Sequence, residues 1–244
     1  MKNSPTQKVV LVSGSSGGLG RAVFRKFATG GWTAVGADIT ASDFTRHVAD
    51  LTDVAQVERI VDEIVHAHGR LDGLVACAGL WTEGDTSRAT EAEFDRVFDV
   101  NVKSAFFLLS RALPHLKATR GHATLISSDA GIQGNAGAAI YCASKGAVSN
   151  LVRAVAREVA PDLVRVNAIC PGDTDTPMLR GQAEASGDPP AYLQKLLSGY
   201  PQGPAARFIQ PDEVAALCWF LAQDEAAPIT GANLSIDFGL SAGI

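Results

Sequence analysis

The stretch Val9-Val10-Leu11-Val12-Ser13-Gly14-Ser15-Ser16-Gly17-Gly18-Leu19-Gly20, running on into Arg21-Ala22-Val23-Phe24-Arg25-Lys26-Phe27-Ala28, decides how this chain folds. Its first four residues form a short β-branched run of the kind found in buried strands. Residues 21–28 place Val23, Phe24 and Phe27 on one side at helical spacing. The glycines therefore sit between a strand and a helix. Glycine reaches positive φ and lets a ligand approach the backbone with no Cβ in the way. A helix start offers unpaired N–H groups and the positive end of its dipole, which together favour an anion such as a phosphate. The spacing Gly14-x-x-x-Gly18-x-Gly20 is neither the G-x-G-x-x-G dinucleotide fingerprint nor a P-loop, since no Gly-Lys-Ser/Thr follows. A flexible turn is the plain alternative, and the strand before and helix after argue against it.

A second apolar stretch, Thr33-Ala34-Val35-Gly36-Ala37, ends at Asp38. A carboxylate at the end of a second strand can accept hydrogen bonds from an adenosine ribose and repels a 2′-phosphate. Ile39 and Thr40 follow, and Ser15 and Ser16 in the glycine turn are uncharged, so no Arg or Lys is at hand to hold that phosphate. The pattern favours NAD over NADP. The alternative is a solvated loop aspartate.

Tyr141 and Lys145 stand four residues apart, and Ser128 lies thirteen residues before the tyrosine. Four residues are about one helical turn, so phenol and ammonium share a helix face. A nearby cation favours the phenolate and lowers its pKa, and such a phenol is a general base toward an alcohol. Ser128 is placed to hold the oxygen that changes charge.

Strand signals at 9–12, 33–37, 46–49, 74–77, 123–127, 164–169 and 233–237 alternate with helix signals at 18–29, 54–68, 91–118, 139–160 and 211–223. Alternation of this kind predicts an α/β fold, a parallel sheet covered on both faces. Gly14, Asp38, Gly79, Ser128 and Pro171 all follow predicted strands. They converge on the edge where such sheets bind ligands.

These motifs together resemble the short-chain dehydrogenase/reductase family, single-domain type, over about residues 8–239. Ser13-Gly14-x-x-x-Gly18-x-Gly20 is similar to the family's Thr-Gly-x-x-x-Gly-x-Gly. The resemblance implies a doubly wound seven-stranded Rossmann sheet of order 3-2-1-4-5-6-7 in one domain spanning 1–244. It implies a catalytic tetrad of Asn101, Ser128, Tyr141 and Lys145, with Asn101 relaying a proton to solvent. It implies an NAD site of Gly14, Ser16, Gly18, Leu19, Gly20, Asp38, Asp50, Leu51, Ala78, Gly79, Tyr141, Lys145, Pro171, Gly172, Thr174 and Thr176. Of the last two, Thr176 is the better match for a nicotinamide contact. One departure is visible. The family's Asn-Asn-Ala-Gly reads Ala76-Cys77-Ala78-Gly79, so the amide that braces the sheet is missing and Cys77 reads as a small buried hydrophobe.

The segment 178–203, with Gly181, Gly187, Pro189, Pro190 and Pro201, interrupts the alternation and is predicted to fold over the site as a mobile lid. Trp81, Asp129, Gln133, Asp173, Met178 and Tyr192 are candidate substrate contacts. Trp81 suggests an apolar wall, and Asp129 and Gln133 suggest hydroxyl recognition, as for a polyol, a sugar-derived alcohol or a cyclic alcohol. Arg180 and Lys195 are the segment's basic residues, which disfavours a highly anionic or CoA-linked substrate.

At 244 residues with 46% apolar content the chain can build a sizeable core, and no linker or repeat divides it. The net charge of −5 argues against a nucleic-acid footprint. Four cysteines without CxxC spacing suit a reducing compartment, so a cytoplasmic protein is expected. Residues 1–8 lack a signal-peptide apolar region, and no apolar run reaches the ~18 residues of a membrane span. His66 and His68, two apart, point to different sides of a helix, and no metal is expected. Family resemblance implies a homotetramer, or a homodimer, joined through helices near 100–118 and 140–160. Phe106, Phe107, Leu108 and Leu109 are read as surplus apolar surface, and the tail 236–240 as packing on a neighbour. Three alternatives share part of this pattern: a sugar-nucleotide epimerase, a non-catalytic NAD(H)-binding regulator and an NADPH-dependent carbonyl reductase. About 75 residues after Pro171-Gly172 leave little room for the epimerase's larger C-terminal domain. The complete tetrad opposes the regulator, and Asp38 opposes the NADPH enzyme.

Overall fold

Seven parallel strands form one sheet: β1 (Val9–Ser13), β2 (Thr33–Asp38), β3 (His47–Val48), β4 (Gly73–Ala76), β5 (His122–Ile126), β6 (Arg165–Pro171) and β7 (Asn233–Ile236). Their order is β3-β2-β1-β4-β5-β6-β7, as the resemblance implies. The structure, a computed structural model, describes residues 7–242; most of the N-terminal segment discussed above, residues 1–6, lies outside them.

Both sheet faces are covered, and the strand sequences show why. Val9 and Leu11 of β1 join Leu74 and Ala76 of β4 in one core, under helices α2 (Val54–His68), α4 (Ser104–Thr119) and α5 (Ala139–Val159). Val10, Val12 and Val75 point the other way, into a second core with α1 (Gly18–Thr29) and α8 (Pro211–Leu221). Successive side chains of a strand face opposite sides, so a strand buried on both reads as an unbroken apolar run. The result is a three-layer, Rossmann-like domain. The strand order reverses between β1 and β4, which opens a crevice at their carboxyl ends.

Two segments differ from the sequence reading. The helix expected over 91–118 is α3 (Glu91–Phe98) and α4 joined through a π-helical turn, Asp99–Lys103. The expected lid contains two helices, α6 (Pro177–Ala185) and α7 (Pro189–Ser198). Pro189 and Pro190, read as interrupting the alternation, occupy first-turn positions of α7, as Pro177 does of α6. There the missing N–H is one the helix leaves unpaired anyway.

The tail beyond β7 is held locally. It folds back on its own chain, with the Gly239 and Ser241 amides donating to Asp237 and the Phe238 ring 6.5 Å from that of Tyr200. Leu108 and Leu109 are buried in the chain's own core, which leaves Phe106 as the outward member of that run.

Candidate active site

β1 ends at Ser13, and Gly14 turns the chain at φ +67°. A Cβ on Gly14 would lie 2.8 Å from the Ala78 nitrogen, and one on Gly18 would lie 2.9 Å from Pro177 Cδ. On Gly20 it would run into the Gly14 carbonyl. The glycines are thus required by close packing as well as by turn geometry. The Ser13 hydroxyl accepts from the Cys77 and Ala78 amides at 3.1 and 3.2 Å. That contact ties β4 to β1 where the usual bracing amide is replaced by Cys77. Desolvation pushes the Cys77 thiol up to about 12, in keeping with a small half-buried hydrophobe and not a nucleophile.

No side chain caps α1, whose first residues line a cleft of about 850 Å³. The uncapped helix start in a glycine cradle suits a pyrophosphate. Asp38 is buried at one end of the cleft, accepting from the Ser16 amide at 3.0 Å and the Thr40 amide at 2.9 Å. Each carboxylate oxygen keeps a further lone pair for a ribose hydroxyl. Asp50, Leu51, Ala78 and Gly79 line the same cleft. So do Pro171, Gly172, Thr174 and Thr176, although both threonine hydroxyls have partners in the chain. Thr174 donates to the Gly172 carbonyl at 3.1 Å, and Thr176 caps α6. The residues present fit a dinucleotide.

Ser128, Tyr141 and Lys145 meet at the other end. Lys145 Nζ lies 5.7 Å from the Tyr141 ring centroid and donates to the Ile126 carbonyl at 2.9 Å. The expectation that Lys145 depresses the phenol is overturned by burial. Desolvation pushes Tyr141 well above its ordinary value, against the lowering effect of the Ser128 hydroxyl, and pulls Lys145 down to about 8.

Asn101 is fixed in place through its side-chain amide. It is buried and does not line the cleft. Its Oδ1 accepts from the Leu80 amide at 2.8 Å, and Nδ2 donates to the Leu80 carbonyl and to Ser144 Oγ, both at 3.0 Å. It holds the segment after β4 against α5. Oδ1 accepts a single hydrogen bond there and keeps a second lone pair.

All the candidate substrate residues line this end: Trp81, Asp129, Gln133, Asp173, Met178 and Tyr192. The Trp81 ring sits 4.5 Å from that of Tyr141, tilted by 58°. Ser128 Oγ donates to Asp129 Oδ1 at 2.7 Å, and Gln133 Nε2 donates to Asp129 Oδ2 at 2.8 Å. Burial, with repulsion from Asp129, raises Asp173 to about 6. Tyr200 was missed in the sequence. Its hydroxyl accepts from the Asp173 amide at 2.8 Å and donates to the Asp173 carboxylate at 3.2 Å. Glu83 was missed as well, and the Tyr192 hydroxyl reaches it at 3.4 Å, while burial raises that phenol to about 12. Nothing in the spacing of either residue signals a role. Among the described residues, no three His, Cys, Asp or Glu side chains converge as a metal site, and no helix is long and apolar enough to cross a membrane.

A family model described as enoyl-(acyl carrier protein) reductase matches residues 14–241. The chain belongs to the short-chain dehydrogenase/reductase family. It is 34% identical over 247 residues to the meso-2,3-butanediol dehydrogenase of Serratia marcescens, covering 96% of this chain and 95% of that one. Identity to a 3-oxoacyl-(acyl-carrier-protein) reductase of Thermotoga maritima is also 34%, over 96% of this chain and 97% of the relative. The ligand-free aldohexose dehydrogenase of Thermoplasma acidophilum superimposes with a TM-score of 0.90 at 32% identity, covering 98% of this chain and 95% of that one. The family binds a nicotinamide cofactor: NADP in one solved relative and NADH in another.

Proposed function

We infer that the protein is an NAD-dependent oxidoreductase interconverting a secondary alcohol (a polyol, a sugar-derived alcohol or a cyclic alcohol) and its ketone. The observation that carries this reading is the meeting of Ser128, Tyr141 and Lys145 at one end of a cleft whose other end holds the glycine cradle and Asp38. The cradle at Gly18–Gly20 takes the pyrophosphate, and Asp38 takes the adenosine ribose. Among the described residues the cations lining the cleft are Lys145 and Lys195. Arg21 donates to the Ser16 carbonyl and does not line the cleft. This charge pattern supports NAD over NADP.

When bound, the nicotinamide supplies the hydride acceptor. Lys145 holds the ribose next to it, and that contact together with a cationic ring favours the phenolate that burial otherwise opposes. Tyr141 removes the hydroxyl proton as the carbon–hydrogen bond breaks, and Ser128 holds the reacting oxygen. Trp81 closes the wall behind Tyr141 and excludes water. Helices α6 and α7, which take in most of 178–203, act as the lid. Ketone reduction reverses these steps.

We place this chemistry in a cytoplasmic homotetramer. All four cysteines are free thiols, and Phe94 and Phe106 on α3 and α4 are each 44% exposed, as an interface through these helices needs.

The test is NADH formation from NAD over a panel of secondary alcohols, polyols and sugar alcohols, with Tyr141→Phe in parallel. The variant is expected to lose roughly 100-fold or more in turnover and to keep binding NADH. Turnover retained in Tyr141→Phe sinks the assignment.

A further inference from the structure

The Ser128 hydroxyl gives its proton to a neighbour, away from the oxygen it is meant to serve. Ser128 Oγ donates to Asp129 Oδ1 at 2.7 Å and accepts from the Ala130 amide at 3.2 Å. A serine has one proton to give. While that bond stands, Ser128 can accept from an alcohol but cannot donate to an oxygen that is becoming a carbonyl. Asp129 is buried, and its other oxygen already takes the Gln133 amide. Turning Ser128 toward the reacting oxygen therefore strips a donor from a buried carboxylate, an arrangement that is costly to leave unmade.

A substrate with one hydroxyl leaves that deficit in place. A vicinal diol carries its own replacement. Its gauche oxygens lie a hydrogen-bond length apart, and so do Ser128 Oγ and Asp129 Oδ1, at 2.7 Å. One hydroxyl fits between Tyr141 and Ser128, and its neighbour donates to Asp129. The freed Ser128 proton then turns to the reacting oxygen. The carboxylates of Glu83 and Asp173, lining the same end, suit hydroxyl donors and repel anions.

We propose that Asp129 is the specificity-determining residue of this cleft, and that the substrate is a vicinal diol oxidised to an α-hydroxy ketone while Asp129 holds the hydroxyl that does not react. The proposal rests on the dehydrogenase reading above. In the step itself, the hydride passes from the carbinol carbon to the nicotinamide, the hydroxyl proton passes to Tyr141, and a carbon–oxygen double bond forms. The second hydroxyl leaves unchanged.

The experiment pairs vicinal diols (propanediol, butanediol and cyclohexanediol) with the monohydroxy alcohols of the same skeletons, in the wild type, Asp129→Asn and Asp129→Ala. It reads kcat and KM with NAD, and the melting shift each alcohol gives the NADH-loaded protein. The wild type is expected to prefer the diol by roughly 10- to 100-fold in kcat/KM. In Asp129→Ala the preference for the diol over the monohydroxy alcohol is expected to vanish, with a raised KM for the diol; a merely structural role would lower both alcohols alike and keep their ratio. Equal use of both alcohols by the wild type, a parallel loss in the variant, or no turnover and no shift with any diol would each overturn the proposal. Turnover of monohydroxy alcohols alone would overturn it and leave the dehydrogenase standing. Absence of a melting shift with NADH itself would remove the reading beneath it.

Discussion

Asn101 closes a two-bond ring on Leu80, accepting from its amide at 2.8 Å and donating to its carbonyl at 3.0 Å, and a third bond ties the pair to Ser144 on α5. The side chain thus acts as a clamp between the segment after β4 and the helix that carries Tyr141 and Lys145. Asn101→Ala leaves the Leu80 backbone groups without these partners, at a cost of about 1–3 kcal/mol per buried group. A lower Tm is expected together with a fall in kcat, since Trp81 follows Leu80 and packs on Tyr141. An unchanged Tm would argue against the clamp.

Tyr141 and Lys145 both lean toward their neutral forms, with Lys145 near 8. Oxidation needs the phenolate. The kcat/KM for alcohol oxidation is therefore expected to rise about tenfold per pH unit from about pH 6, and to flatten near pH 8 as Lys145 gives up its charge. A profile flat across this range would mean that another group takes the proton.

His122 is buried among Phe27 and Trp32, and burial lowers it to about 3. The folded chain keeps it neutral, whereas the unfolded chain protonates it below its ordinary 6.5. Its contribution to stability is present in full above 6.5 and is lost as pH falls toward 3, at up to about 1.4 kcal/mol per pH unit. Asp173, raised to about 6, works the other way: its folded form holds a proton that the unfolded chain releases, so its contribution shrinks as pH rises from 3.8 to about 6. Urea melts of the wild type and His122→Gln at pH 5 and pH 7 separate the two. The variant is expected to lose part of the slope, and an unchanged slope would place the titration elsewhere.

Asp38 accepts from two backbone amides, so a change there must spare geometry to isolate charge. Asp38→Asn retains one acceptor oxygen and removes the repulsion of a 2′-phosphate. The ratio of kcat/KM with NAD to that with NADP is expected to fall by roughly tenfold or more. A wild-type preference for NADP would overturn the reading of Asp38.

Much of this was legible in the residues because one physical constraint fixed each element. The β1 run had to be a doubly buried strand, and Gly14, Gly18 and Gly20 mark close approaches that a Cβ would block. Strand edges were harder: the sheet pairs only His47 and Val48 in β3, where 46–49 was expected. What stayed hidden depends on surroundings. Burial, which reverses the expected shift of Tyr141, belongs to the packed fold and not to the Tyr-x-x-x-Lys spacing. The direction of the Ser128 hydroxyl depends on the Asp129 rotamer. Helices α6 and α7 were hidden because proline punctuates a chain equally well as the end of one helix or the first turn of the next.

The π-helical turn at Asp99–Lys103 carries a consequence for how this sequence can change length. Removing one residue there would let the wide turn relax to ordinary helix and leave the rod unbroken. The wide turn takes in its extra residue without turning one half of the rod against the other, so Val97 on the near side and Leu108, Leu109 and Ala112 on the far side stay buried together. Such a deletion would move the turn itself, and Asn101 would lose the position from which it reaches Leu80. The extra residue is therefore held by the clamp it makes and not by the helices on either side of it.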